Sequence, residues 1–287
     1  MSAVLELSAP AVDRGIVTRR LKVAGHQDRT VPAILLTPEG ATGPRPAILI
    51  GHGAGGDKEA EPFPAIGRLF VRRCGWASVI IDGPIHGERR PPGLDDPVQH
   101  FAEVRKLLGR RETYEAMAAD WRGVVDALGE LEDVGNQRVA YIGFSMGTVL
   151  GVPAVAAEPR IECAVFCIGG VARAGGAEAL VRNLGGDASK LPVQEVEAAT
   201  PARNNFLLQS AARIGQRQVL MLNQSEDEAF SREGAFQLYD ALTGPKRIFF
   251  YPGQHVQMPP ESMNQAVLFF REHLAGEAAP DAPRGAF

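Results

Sequence analysis

The residues best able to do covalent chemistry in this 287-residue chain sit in one pentapeptide, Gly143-Phe144-Ser145-Met146-Gly147. It follows the apolar run RVAYI and precedes the helix-like TVLGVPAVAA, so it matches G-x-S-x-G in a strand, turn, helix setting. A strand that turns abruptly into a helix holds the serine in a strained backbone. Side chains on either flank would collide with neighbouring backbone, so both flanks must be small. The bend lifts the Ser145 hydroxyl into the open and aims the amide of Met146, at the positive end of the helix, toward whatever is attacked. The chemistry this implies is nucleophilic attack on an acyl carbon, through a covalent intermediate.

A serine hydroxyl is a poor nucleophile at neutral pH, so an imidazole must take its proton and a carboxylate must orient that imidazole. Two histidines follow Ser145. His273 lies in the helical pattern AVLFFREHL among charged residues, as expected of a solvated face. His255 lies in the loop PGQHVQMP directly after the strand-like RIFFY, where a side chain can hang over the sheet, and it is the expected base. The acid falls in QVLMLNQSEDEAF, where Glu226, Asp227 and Glu228 all follow a buried run. Nucleophile, acid and base then occur in an order that excludes the chymotrypsin-like and subtilisin-like arrangements. Upstream, the loop Gly51-His52-Gly53-Ala54-Gly55-Gly56-Asp57 follows another apolar run. It lacks the lysine with serine or threonine of a phosphate-binding loop and matches G-x-G-x-x-G poorly. Its free amides suit an oxyanion, with Ala54 and Met146 as the expected donors to a tetrahedral intermediate.

The elements that must carry these loops are legible as alternating periodicities. Strands are expected at Gly15 to Val23, Val31 to Thr37, Ala47 to Ile50, Ala77 to Ile81, Arg138 to Ile142, Ile161 to Ile168, Gln218 to Leu222 and Lys246 to Phe250. The first two alternate like a half-exposed hairpin, whereas the later runs are continuously apolar, as in parallel strands covered on both faces. Helices are expected at Phe63 to Cys74, Thr113 to Leu131, Ser145 to Ala156, Arg232 to Leu242 and Pro260 to Leu274. The whole reads as a single α/β domain of βαβ repeats with helices on both faces of an eight-stranded, mostly parallel sheet. Two stretches break the alternation. Pro84 to Arg111 is proline-rich and charged, and 169–216 mixes glycines with helical pieces at Ala177 to Leu184 and Asn204 to Ala212. Insertions of this length usually build lids or binding surfaces, and 169–216 is expected to be a helical lid. The tail 275–287, AGEAAPDAPRGAF, has little to bury and is expected to be poorly ordered.

Composition narrows the partners. The 30 basic and 34 acidic residues give a net charge of −4, so no positive field exists to hold nucleic acid or an anionic membrane surface. A small-molecule ligand is expected instead. Cys74, Cys163 and Cys167 are too few and too oddly numbered for a disulfide framework and read as reduced thiols. The N-terminus lacks a basic region followed by an apolar stretch, and no apolar run reaches spanning length, so a cytoplasmic protein is expected. A homodimer is the default assembly.

Taken together, HGAGG, GFSMG, SEDE and GQH, each after its strand, make the chain resemble the α/β-hydrolase fold over nearly its whole length. The stretch DGPIHGERR is similar to the D-x-x-x-H-G-x-R segment of serine esterases and peptidases in the dienelactone-hydrolase-like and prolyl-oligopeptidase-like branches. The resemblance implies that Asp227, third after the position held by Gln224, is the acid. It also implies a carboxylic ester hydrolase working through an acyl-enzyme and needing no metal or organic cofactor. Thioester, amide or lactone hydrolysis would use the same groups, and a non-catalytic ligand-binding protein on this scaffold is the alternative of another class. A dienelactone hydrolase proper would carry cysteine where this chain has Ser145. His86, in the DGPIHGERR loop, reads as structural, and Arg89 and Arg90 as solvated charges, although all three lie where they could meet a substrate.

Overall fold

The computed structural model describes residues 2–274; the tail 275–287, expected to be poorly ordered, lies outside the described residues. Ten strands form one mixed sheet in the order β1-β3-β4-β6-β5-β7-β8-β9-β10, with β2 paired to β3. The strands are β1 (Val4–Leu7), β2 (Ala11–Asp13), β3 (Ile16–Ala24), β4 (Thr30–Pro38), β5 (Ala47–Gly51), β6 (Ala77–Ile81), β7 (Val139–Phe144), β8 (Ile161–Cys167), β9 (Gln218–Gln224) and β10 (Lys246–Tyr251). β1 to β4 pair antiparallel and β4 joins β6 antiparallel, while every pairing among β5 to β10 is parallel. All eight expected strands are present. β1 and β2 are additional, and they escape sequence reading because VLEL and AVD are short and largely exposed.

The period-two alternation of the central strands fills two cores. On one face Leu49, Val79, Tyr141 and Phe166 meet α3 (Arg111–Leu128), α4 (Met146–Ala157), α7 (Thr200–Ala212) and α8 (Arg232–Ala241). On the other, Ile50, Ile80, Ile142 and Val165 meet α1 (Phe63–Cys74) and α9 (Pro260–His273). Trp121 and Val124 of α3 are fully buried, so this helix is held by packing along its apolar stripe.

The proline-rich stretch read as a long loop contains a helix, α2 (Pro97–Leu107). Asp96 caps it by accepting from the amides of Val98 and Gln99, and Pro97 occupies the first turn, where its missing N–H costs nothing. Within 169–216 lie α5 (Gly176–Asn183), α6 (Val193–Ala198) and α7. Val98 and Ala102 of α2 join Ala177 and Val181 of α5 and Val196 of α6 in a small core of their own. α7 belongs elsewhere: Leu207 and Ala211 pack in the main core. Among the described residues no helix is long and apolar enough to cross a membrane.

Candidate active site

Ser145 sits between β7 and α4 with φ 53° and ψ −108°, a left-handed bend forced on a residue that carries a side chain. The flanking glycines permit it. A Cβ on Gly147 would lie 2.1 Å from the Gly51 carbonyl oxygen, and one on Gly143 would lie 2.4 Å from the Gly147 oxygen. The amide of Ser145 donates to Cys167 O at 3.0 Å, tying the bend to the neighbouring strand.

The other two groups come from loops after β9 and β10. These loops continue side by side past the strand ends, with Ser225 N donating to Tyr251 O at 2.8 Å and Glu226 N to Gly253 O at 3.1 Å. They bring His255 between Ser145 and Asp227. Ser145 Oγ lies 2.8 Å from His255 Nε2, and His255 Nδ1 lies 2.7 Å from Asp227 Oδ2. An ionised carboxylate only accepts, so Nδ1 carries the ring hydrogen and Nε2 presents its lone pair to the serine hydroxyl. The second oxygen of Asp227 accepts from the amides of Ala229 and Phe230, each at 2.8 Å, which fixes the carboxylate plane. His255 is 3% exposed and Asp227 6%. Of the three clustered acids, Asp227 is the one on the imidazole; Glu228 accepts from the backbone amide of His255 at 3.1 Å, and Glu226 is exposed. The role of Glu228 had no sequence signal beyond its place beside the acid.

The glycine-rich loop after β5 is held from behind by two buried histidines. His52 Nδ1–H donates to Gly53 O at 2.8 Å, and His52 Nε2 accepts from Gly83 N at 2.8 Å. Gly53 C=O and Ala54 N–H belong to one peptide plane, so the bond to the carbonyl sets the direction of the amide. His86 Nε2 lies 2.9 Å from Ala54 O and its Nδ1 2.7 Å from Pro84 O. Burial lowers the His52 pKa to about 4 and that of His86 to about 3, so both rings are neutral at pH 7. Neither Ala54 N–H nor Met146 N–H has a partner among the described residues, and Met146 opens α4. Both donors are free for a negative oxygen.

The rest of DGPIHGERR is framework. Asp82 accepts from Lys58 N, Lys58 Nζ and Glu88 N at 2.9–3.0 Å, joining the loop after β5 to the loop after β6. His86 is fully buried and does not line the cavity. Arg89 pairs with the buried Asp120 at 2.8 Å, also off the cavity wall, and only Arg90 reaches the wall.

Ser145 and His255 open into a cavity of about 650 Å³. The glycine-rich loop after β5, α1, α2, α5 and the loop after His255 line it, largely with apolar side chains. Of the small core that joins α2 to α5, Val98 and Val181 face this space.

No family model matches the chain. It is 22% identical to the esterase YjfP of Escherichia coli (strain K12), over 88% of this chain and all of that protein. A solved structure of a cold-adapted esterase from an Arctic intertidal metagenomic library superposes with a TM-score of 0.71 at 25% identity, covering 94% of this chain and 100% of the other. The acetyl xylan esterase from Paenibacillus sp. R4 gives the same TM-score at 19% identity, covering 94% of this chain and 88% of the other. The fold is that of the α/β hydrolases. Within it the protein is a hydrolase similar to esterases of the dienelactone-hydrolase-like branch.

Proposed function

We propose that the protein is a serine hydrolase that cleaves the carboxylic ester of a small molecule through an acyl-enzyme. The observation that carries this reading is the unbroken chain Ser145 Oγ, His255 Nε2, His255 Nδ1, Asp227 Oδ2, with links of 2.8 and 2.7 Å. In the first half-reaction Ser145 Oγ attacks the ester carbon while His255 Nε2 takes the hydroxyl proton. Asp227 stabilises the imidazolium. The carbonyl oxygen becomes an oxyanion against the amides of Ala54 and Met146, donors of a kind that contribute about 3 to 4 kcal/mol each. His255 then gives the proton to the leaving alcohol. Water, deprotonated by the same imidazole, releases the acid and restores Ser145.

The wall from α2 and α5 supports a covering role for that part of 169–216, with α7 serving as part of the main core. The same groups would open a thioester, an amide or a lactone, and a substrate panel separates these. The test of the reading is covalent. A fluorophosphonate should label Ser145, and Ser145→Ala should abolish both labelling and hydrolysis of short p-nitrophenyl esters while the protein stays folded. A Ser145→Ala protein with wild-type turnover would refute the assignment.

A further inference from the structure

Resting on the esterase reading, we propose that the substrate is an ester whose acyl part is an apolar chain longer than acetyl, held under α2 and α5. The wall carries the case. Phe101 of α2, with Leu180 and Val181 of α5, faces the same cavity as Ser145. At the lip, Leu184 is 55% exposed and Val256 62% exposed, and both line that cavity. Single exposed apolar side chains are ordinary, but two on the rim of one apolar pocket mark a surface that a ligand covers.

The polar groups on the wall do not form a second recognition set. Glu61 is paired with Arg68, and Arg90 and Asp95 are exposed. His100 already binds Ile85 O through Nε2 at 2.9 Å, and burial lowers its pKa, so it is neutral. A polyhydroxylated substrate would need convergent donors and acceptors to replace its lost water, and this wall offers few. The leaving oxygen must lie against His255 Nε2 to receive its proton. The alcohol therefore takes the side of the His255 loop, with Val256 on its rim, and the acyl chain takes the remainder, with Leu184 on its rim.

The experiment is a series of p-nitrophenyl esters, from acetate through butanoate and hexanoate to octanoate, run beside a series of alkyl acetates. In the acyl series kcat/KM should rise about fourfold per added methylene until the wall is filled. Leu184→Asp, at an exposed position that folding tolerates, should lower the octanoate-to-acetate ratio tenfold or more, and Leu184→Met should keep it. A profile that is flat or falls from acetate onward overturns the inference. So does a ratio unmoved by Leu184→Asp, or a chain-length preference found only among the alkyl acetates. In those cases continued turnover of acetate and labelling of Ser145 leave the esterase reading standing. If no ester is cleaved and Ser145 is not labelled, the esterase reading fails and the inference falls with it.

Discussion

Glu228 and Asp227 are adjacent carboxylates with different tasks. Asp227 meets the imidazole, whereas Glu228 holds the main chain of the same histidine through its amide. Glu228→Gln keeps an acceptor for that amide while removing the charge, so kcat should be largely kept. Glu228→Ala removes both, and the loosened loop should cost about tenfold to hundredfold in kcat. Equal kcat values for all three proteins would show that Glu228 positions nothing. At this scale the sequence was generous where chemistry is local. Ser145 lies in a bend that demands two glycines, and His255 follows a strand end. It was silent on His52 and read His86 as structural without showing its partners, because the contacts that make both matter run to Gly53, Gly83, Pro84 and Ala54, whose placement depends on the folded loops.

Elements differ in how firmly they are held, and α5 and α6, the proposed cover, are held least. β5 to β9 lie between two cores, with residues such as Leu49, Val79 and Ile142 fully buried, whereas α5 and α6 rest mainly on the small cluster they share with α2, with Leu180 of α5 reaching the main core. Local opening follows buried apolar contact, so amide hydrogens in α5 and α6 should exchange well before those of α3 and the central strands. Phosphonylating Ser145 with an alkyl fluorophosphonate, which loses fluoride and fills the cavity beneath Leu180 and Val181, should slow exchange in α5 specifically. Uniform protection across α3 and α5, or no change in α5 on phosphonylation, would remove the idea of a mobile cover. The central strands were readable because burial on both faces makes them continuously apolar. β1 and β2 were not, since exposed edges carry no such run. α2 had a usable signal in Asp96-Pro97, a capping residue followed by a proline in the first turn, but proline density masked it.

At the scale of the molecule, the sheet order places the ends of β5, β7, β9 and β10 on one rim, and the loop after β5 is pinned by neutral histidines. That arrangement couples global stability to pH. His52 has its Nδ1 hydrogen on Gly53 O and its Nε2 lone pair on Gly83 N–H, so a second proton would point directly at that N–H. In the unfolded chain the same ring titrates near 6.5, whereas in the fold burial lowers it to about 4, and His86 to about 3. Above pH 6.5 neither state is protonated and nothing is lost. As pH falls from about 6.5 toward 4 the unfolded chain binds protons that the native one refuses, so stability must fall with pH. For His52 alone the loss is on the order of 3 kcal/mol, at about 1.4 kcal/mol per unit. The measurement is urea unfolding at pH 7.5, 6 and 5, with the midpoint expected to drop steadily. His52→Gln, which cannot titrate, should start from a lower midpoint at pH 7.5 but lose less on acidification. A wild-type midpoint that holds level from pH 7.5 to pH 5, or a His52→Gln protein with the same slope as wild type, would show that the glycine-rich loop does not depend on a neutral imidazole behind it.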